Sequence, residues 1–130
     1  KGEADCVIGS RYLPSDPDTG YKTPFARRMG MRFSTFILKL ATGLTVHDTT
    51  SGFRALNKKA FSYFARNYPV DHPEAESLLL LHRKGFKIIE IPTRMRARES
   101  GQSLFTLFRA AMYPFRVIIG FCGIIARGAR

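Results

Sequence analysis

The stretch Val46–Asn57 reads VHDTTSGFRALN, and it decides how the rest of the chain can fold. An acid, three hydroxyl residues, a glycine, an aromatic residue and an arginine follow one another between Asp48 and Arg54. Aspartate, threonine and serine hydrogen-bond readily to their own backbone, which favours a tight turn over a helix or sheet. Gly52 allows a positive φ or a close backbone approach. We therefore predict a turn that leads directly into a strand.

The residues after Gly52 are predicted to form that strand. Phe53 and Ala55 would lie on one face, and Arg54 and Leu56 on the other. Arg54 could then point back into a cleft beside the turn. Hydroxyls, backbone N–H groups and a guanidinium are the groups that bind an anionic oxygen such as a phosphate. An ordinary polar turn before a strand would show the same pattern, so the residues alone leave both interpretations open.

Two further motifs accompany the turn motif Asp-x-Thr-Ser-Gly-Phe-Arg-Ala. Gly9-Ser10-Arg11-Tyr12 lies upstream and Arg98-x-x-Gly101-x-Ser103 lies downstream. Together, over about Ala4 to Ser103, they resemble the family 2 glycosyltransferases. Within that family the resemblance is to the branch of dolichol-phosphate (polyprenyl-phosphate) mannose synthases and related bacterial cell-surface glycosyltransferases. Leu104 departs from that branch, which often has lysine at this position.

The resemblance implies an α/β fold, namely the C-terminal half of a GT-A (Rossmann-like) sandwich with a mixed sheet. Residues 1–103 would form the acceptor-side half of a catalytic domain, and residues 104–130 an amphipathic helix that lies near a membrane or docks elsewhere. The strands that this half lacks would leave a sheet edge open, which would allow a homo-oligomer.

A divalent metal, Mg²⁺ or Mn²⁺, is expected for the full-length enzyme, but we identify no metal ligand in this chain. The family's nucleotide-binding strands and Asp-x-Asp metal motif would precede the residues present here. Asp16-Pro17-Asp18 follows the Gly-Ser-Arg strand, which is the wrong order, so no metal is assigned to it. We therefore expect the chain alone to be inactive or nearly so.

The resemblance also implies roles for individual residues. Phosphate or substrate contacts are expected from Ser10, Arg11, Asp48, Thr50, Ser51, Gly52, Arg54, Arg98 and Ser103. A general base for an acceptor hydroxyl is expected near a helix start, with Asp71, Glu74 and Glu76 as candidates. Glu74 and Glu76 could instead serve the helix dipole, which favours acids in a first turn. A phosphate acceptor is already an anion and would need no base.

The implied reaction moves a sugar from a nucleotide-sugar to a membrane-borne acceptor, such as polyprenyl phosphate or a glycan, with inversion. Such an enzyme would contribute to cell-surface glycan biosynthesis. It would be cytoplasmic and peripheral at the inner face of the cell membrane. A membrane surface is therefore an expected partner.

The charge of the chain is consistent with an anionic partner. The formal net charge is +11, from 21 Lys and Arg against 10 Asp and Glu. Such a balance indicates nucleic acid, an anionic membrane or a phosphorylated substrate. The alternative to an enzyme is thus a basic membrane- or nucleic-acid-binding module without catalysis. Nucleic acid is disfavoured, because the basic residues alternate with Phe and Leu at helical core spacing and no nucleic-acid-binding motif is present.

Hydrophobic periodicity predicts the remaining elements. Cys6–Gly9 should be a buried strand, and Thr23-Pro24 should start a helix that ends at Gly43. We expect the stripe of that helix to face the core, with partial lipid contact as the alternative. The stripe consists of Phe25, Met29, Phe33, Phe36, Ile37 and Leu40.

Three helices and a second strand are predicted further along. Lys58–Arg66 should form a helix capped by Asn57, with Ala60, Phe61, Phe64 and Ala65 inward. A buried helix should run from His72-Pro73 to Lys84, followed by a strand over Phe86–Pro92. The helical run Leu104–Ala126 should kink or split at Pro114 and lie in a membrane interface, or else pack on a core or partner.

Overall fold

A computed structural model of the chain describes residues 2–13, 25–69, 74–94 and 107–127. These residues form an α/β structure with a three-stranded mixed sheet and four helices, so the predicted fold class is confirmed. In chain order the elements are β1 (Cys6–Ser10), α1 (Phe25–Thr42), β2 (Arg54–Leu56), α2 (Lys58–Asn67), α3 (Ala75–Arg83), β3 (Ile88–Pro92) and α4 (Leu107–Arg127).

The strand β1 lies at the centre of this sheet, in the order β2-β1-β3. It pairs antiparallel with β2, with Cys6 opposite Leu56, and parallel with β3, with Cys6 opposite Ile88. Cys6 and Ile8 are fully buried, as predicted for this strand. The carboxyl ends of β1 and β3 meet at one edge of the sheet, where ligands collect in open α/β folds.

The helix α1 buries a different face from the one predicted. Its buried residues are Met31, Ser34 and Leu38, whereas most of the predicted core stripe is exposed: Phe25, Met29, Phe36 and Leu40. Only Phe33 and Ile37 of that stripe pack partly against the core. Gly43 ends the helix at φ 73°, as expected, while the predicted start at Thr23-Pro24 lies outside the described residues.

The helix α2 begins as predicted. The Asn57 side chain accepts a hydrogen bond from the backbone N–H of Ala60 over 2.9 Å, and this bond caps the helix. Ala60 and Phe64 are buried, but Phe61 and Ala65 are exposed, so the predicted inward face was too wide.

The helix α3 supplies much of the core through Leu78, Leu79 and Leu81. Its predicted start at His72-Pro73 is not among the described residues, and it is followed by Gly85 at φ 76°.

The helix α4 packs against both α1 and α3 and places Val117 and Phe121 in the common core. It continues through Pro114 without a break, so the predicted split does not occur. Across the ranges given above, we find no helix of the length and apolarity needed to cross a bilayer. The proposed division at residues 103/104 stays a prediction.

Candidate functional site

The turn after α1 is held by a buried ion pair between Arg11 and Asp48. Arg11 Nε donates to Asp48 Oδ2 over 2.7 Å, and Arg11 Nη2 donates to Oδ1 over 2.8 Å. Their side chains are 5% and 0% exposed. Arg11 Nη2 also donates to Thr50 Oγ1 over 2.9 Å. The predicted motif residues Arg11, Asp48 and Thr50 thus form one network at the carboxyl end of β1.

Glu90, in β3, fixes the same turn from the other side. Its Oε2 accepts the backbone N–H of His47 over 2.8 Å, and its Oε1 accepts that of Asp48 over 2.9 Å. His47 Nδ1 lies 2.9 Å from Glu90 Oε2. The turn is therefore held from both sides, by Arg11 at the end of β1 and by Glu90 in β3.

The hydroxyls of the turn also bond within the fold. Ser51 Oγ donates to the carbonyl of Gly9 over 2.6 Å, and Thr49 Oγ1 shares a hydrogen bond with Ser34 Oγ in α1. Both residues are buried. Ser10 is buried too, and its carbonyl accepts the N–H of Thr93 over 2.9 Å. Ser10 and Ser51 therefore shape the backbone at the edge of the sheet.

Arg54 bridges the turn to the start of α3. Its Nε donates to the carbonyl of Ser51, and its Nη2 to the carbonyls of Thr49 and Glu74, each over 2.9 Å. Its Nη1 donates to Ser77 Oγ. These bonds use four of the five N–H groups that a guanidinium carries. Burial lowers the pKa of Arg54, although an arginine with these partners stays charged.

The candidate bases occupy different surroundings. Glu74 immediately precedes α3, and its Oε2 accepts a hydrogen bond from the Tyr113 hydroxyl over 3.2 Å. Glu76 is buried, and its carboxyl group packs against the backbone of Gly120 in α4. Asp71 lies outside the described residues. The carboxyl groups of Glu74 and Glu76 thus both contact α4, and the backbone carbonyl of Glu74 also accepts a hydrogen bond from Arg54.

A cleft of about 230 Å³ opens between the turn, α2 and the start of α3. One wall carries the predicted residues Thr50, Ser51, Gly52 and Arg54, with Glu74 at the rim. The other wall is apolar and aromatic, formed by Leu56, Phe64 and Tyr68. The Phe64 and Tyr68 rings pack edge to face, with centroids 5.1 Å apart. The lining thus combines an apolar, aromatic part with a few hydrogen-bonding groups.

Gly52 does not have the constraint that its sequence context suggested. Its φ is outside the left-handed region, and a Cβ built on it would meet no atom within 4 Å. The space beside it is therefore open, and Gly52 is one of the residues that line the cleft. The close backbone approach belongs instead to Gly9, where a Cβ would lie 2.5 Å from both Phe53 Cδ1 and Thr93 Oγ1.

The remaining predicted residues cannot be placed. Arg98 and Ser103 lie outside the described residues, as does Gly101 of the same motif. No group of three or more His, Cys, Asp and Glu residues that could hold a metal occurs within residues 2–13, 25–69, 74–94 and 107–127. These segments therefore supply no donor set that fits the divalent metal of the resembled family.

The sequence reasoning missed several residues that build the site. Glu90 lies in the predicted strand Phe86–Pro92 and Ser77 in the helix predicted from His72-Pro73 to Lys84, and neither belongs to a predicted motif. Tyr113 was read as part of an apolar helical run. Glu90 and Tyr113 carry no local signal, because Glu90 bonds to Asp48 42 positions earlier and Tyr113 to Glu74 39 positions earlier. Ser77 bonds to the nearby carbonyl of Glu74, but its contact with Arg54 spans 23 positions.

Comparisons with known proteins support the resemblance at a coarse level. No family model matches the chain, and no solved structure matches it. The polyprenol monophosphomannose synthase of Mycolicibacterium smegmatis is 27% identical in an alignment of 103 residues that covers 77% of this chain. The chain spans 38% of the length of that relative. At this distance the similarity shows kinship with a glycosyltransferase and leaves the reaction of the present chain to be proposed.

Proposed function

We propose that the chain is part of a glycosyltransferase that moves a sugar from a nucleotide-sugar to a membrane-borne acceptor such as polyprenyl phosphate, with inversion. The observation that carries the proposal is the cleft. Three of its turn residues, Thr50, Ser51 and Gly52, belong to the motif shared with the resembled family, as does Arg54. The distant similarity to a polyprenol monophosphomannose synthase supports the same class of reaction.

In the proposed reaction the acceptor oxygen attacks the anomeric carbon, and the bond to the nucleoside diphosphate breaks. Negative charge then builds up on the leaving diphosphate, and fixed cations nearby stabilise it. Arg54 lines the cleft with one N–H left over after its contacts to the fold, so it contributes mainly charge. Arg11 is turned toward Asp48 and acts on the site by holding the turn.

Glu74 is the proposed base if the acceptor is a hydroxyl. Glu74 lines the cleft, and a base must reach the proton that it removes. A phosphate acceptor is already deprotonated enough to attack, so Glu74 would then only orient the substrate. Glu74→Gln separates the two cases, because it abolishes turnover with a hydroxyl acceptor and spares most of it with a phosphate acceptor.

The transfer assay should use the complete gene product that contains this chain, with a labelled nucleotide-sugar and polyprenyl phosphate. We expect transfer by that protein and little or none by residues 1–130 alone. Gly52→Val should block the cleft without disturbing the fold, because its added atoms point into open space. Gly123→Ala in α4 is the matched control and should leave turnover unchanged.

Two outcomes would overturn the proposal. One is full turnover in Gly52→Val, since the cleft would then play no part. The other is turnover within a few-fold of the parent in both Arg54→Ala and Arg98→Ala, which would remove the phosphate-binding roles.

A further inference from the structure

Arg54 is a cation that bonds to no carboxylate within the described parts of the chain. Its hydrogen bonds go to the carbonyls of Ser51, Thr49 and Glu74 and to the hydroxyl of Ser77, all of which are neutral acceptors. Burial of a charge is costly unless an opposite charge accompanies it. The charge of Arg54 is therefore left for an anion to neutralise, at the cleft that this residue lines.

Two acids lie near enough to act on the charge of Arg54 through space, namely Glu74 and Asp48. Asp48 is committed elsewhere, because both of its carboxylate oxygens accept hydrogen bonds from Arg11. Glu74 gives Arg54 only its backbone carbonyl, over 2.9 Å, while its carboxylate accepts from the Tyr113 hydroxyl over 3.2 Å. Glu74 is thus an acid beside Arg54 whose carboxylate is occupied by a side chain of α4.

Tyr113 is anchored for this contact on the side of α1. Its ring packs on Gly30, and its hydroxyl also hydrogen-bonds to Ser34, which in turn bonds to Thr49 Oγ1 in the turn. Hydrogen bonds from backbone and side chains therefore form a closed ring through five residues: Arg54, Thr49, Ser34, Tyr113 and Glu74.

We propose that Tyr113 is a positioning residue of the cleft, because by holding the Glu74 carboxylate against α4 it prevents Glu74 from forming an ion pair with Arg54. The charge of Arg54 then stays available to a phosphate group of the substrate. The inference rests on the proposed function, in which Arg54 acts on a phosphate or diphosphate. It adds a residue of the C-terminal helix to the groups that prepare the cleft for an anion.

The test is a double-mutant cycle on the affinity of the complete gene product for two probes, inorganic pyrophosphate and geranyl phosphate, measured by calorimetry. Pyrophosphate represents the leaving diphosphate, and geranyl phosphate represents a phosphate acceptor. Tyr113→Phe keeps the ring and removes the hydroxyl. We expect it to weaken binding of the probe that Arg54 contacts by roughly three- to fivefold, the strength of an exposed ion pair that now competes with the probe.

Glu74→Gln separates this role from a merely structural one. In the Tyr113→Phe background it should restore the affinity of the parent or exceed it, because no carboxylate is left to compete for Arg54. A loss that came from disturbed packing would persist in the double variant. The matched control is Tyr63→Phe in α2, whose ring packs on Phe86 with centroids 5.7 Å apart, and it should leave both affinities unchanged.

The inference is overturned if the parent binds neither probe, if Tyr113→Phe binds both like the parent, or if its loss of affinity persists in the double variant. The proposed function is judged separately, by sugar transfer. A protein that transfers sugar but shows no effect of Tyr113→Phe on either probe would refute the role of Tyr113 alone, whereas one that neither transfers sugar nor binds a probe would overturn both proposals.

Discussion

Tyr113 in α4 donates a hydrogen bond to Glu74 Oε2 over 3.2 Å, and this bond joins the C-terminal helix to the rim of the cleft. The Tyr113 ring packs closely on Gly30 in α1, where a Cβ would lie 3.2 Å from Tyr113 Cδ1. The carbonyl of Glu74 accepts from Arg54 over 2.9 Å. A single residue at the start of α3 thus connects α4 to the turn that forms the other side of the cleft.

The Tyr113 contact predicts how stability depends on pH in alkaline solution. Burial raises the pKa of the Tyr113 hydroxyl, and the charge of Glu74 adds to the effect. In the unfolded chain the phenol ionises near pH ~10, so above that pH the unfolded state holds fewer protons than the folded state. The free energy of unfolding should therefore fall as pH rises above about 10. Urea unfolding at a series of pH values should show a shallower fall for Tyr113→Phe.

Glu74→Gln is the companion variant for this measurement. It keeps Tyr113 buried but removes the carboxylate charge that helps to raise its pKa. The alkaline fall in stability should lie between those of the parent and Tyr113→Phe. Identical slopes for the parent and Tyr113→Phe would contradict the assigned environment of the hydroxyl.

Arg54→Lys should fail to replace arginine even though it keeps the charge. An ammonium group cannot reach the carbonyls of Ser51, Thr49 and Glu74 at once, whereas the planar guanidinium does so from two nitrogens, Nε and Nη2. We expect Arg54→Lys and Arg54→Ala both to lower the free energy of unfolding by about 2–3 kcal/mol, the range for lost hydrogen bonds to a charged group. Denaturant unfolding measures this loss, and a lysine variant as stable as the parent would contradict it.

The local chemistry of the turn was readable from the sequence. Asp48, Thr50 and Ser51 form the predicted turn, and Asn57 caps the next helix, because these preferences act between near neighbours. The sequence did not predict which face of α1 packs against the core. Helical periodicity shows that an apolar stripe exists, but α1 carries two, and the one that packs is the one containing Ser34.

Ser34 is buried for a reason that only the tertiary structure reveals. Its hydroxyl bonds to Thr49, which brings α1 against the turn along the face of Met31, Ser34 and Leu38. The role of Glu90 was not predicted either, because it too depends on the tertiary structure. An acid in an alternating strand is typical of a solvent-facing position, and the backbone N–H groups that it accepts come from His47 and Asp48, more than 40 residues earlier.

The packing of Glu76 against α4 predicts opposite effects for two similar substitutions. At Gly120 a Cβ would overlap the Glu76 carboxyl group, whereas at Gly123 it would meet only Arg127 Nη2 at 3.8 Å. Gly123→Ala should stabilise the helix by about 0.5–1 kcal/mol, because alanine favours the helix over glycine. Gly120→Ala gains the same preference but must displace a buried carboxyl group, and overpacking costs about 1–3 kcal/mol.

Thermal or urea unfolding should thus rank Gly123→Ala above the parent and the parent above Gly120→Ala. Glu76→Ala removes the obstacle, so the Gly120→Ala substitution should become stabilising in that background. A Gly120→Ala variant as stable as Gly123→Ala would contradict the predicted cost of displacing the Glu76 carboxyl group.

The Arg11–Asp48 pair predicts a large loss of stability when one partner is neutralised. Asp48→Asn keeps the size of the side chain but turns an amide toward the guanidinium and leaves the Arg11 charge buried without its counter-ion. Breaking a buried pair in this way costs about 3–5 kcal/mol. Arg11→Met added to Asp48→Asn removes the stranded charge, so the double variant should be more stable than Asp48→Asn alone.

Urea unfolding of the parent, both single variants and the double variant measures the coupling between the two residues. Additive single effects would show that the side chains do not interact, which would contradict the 2.7 Å contact between Arg11 Nε and Asp48 Oδ2.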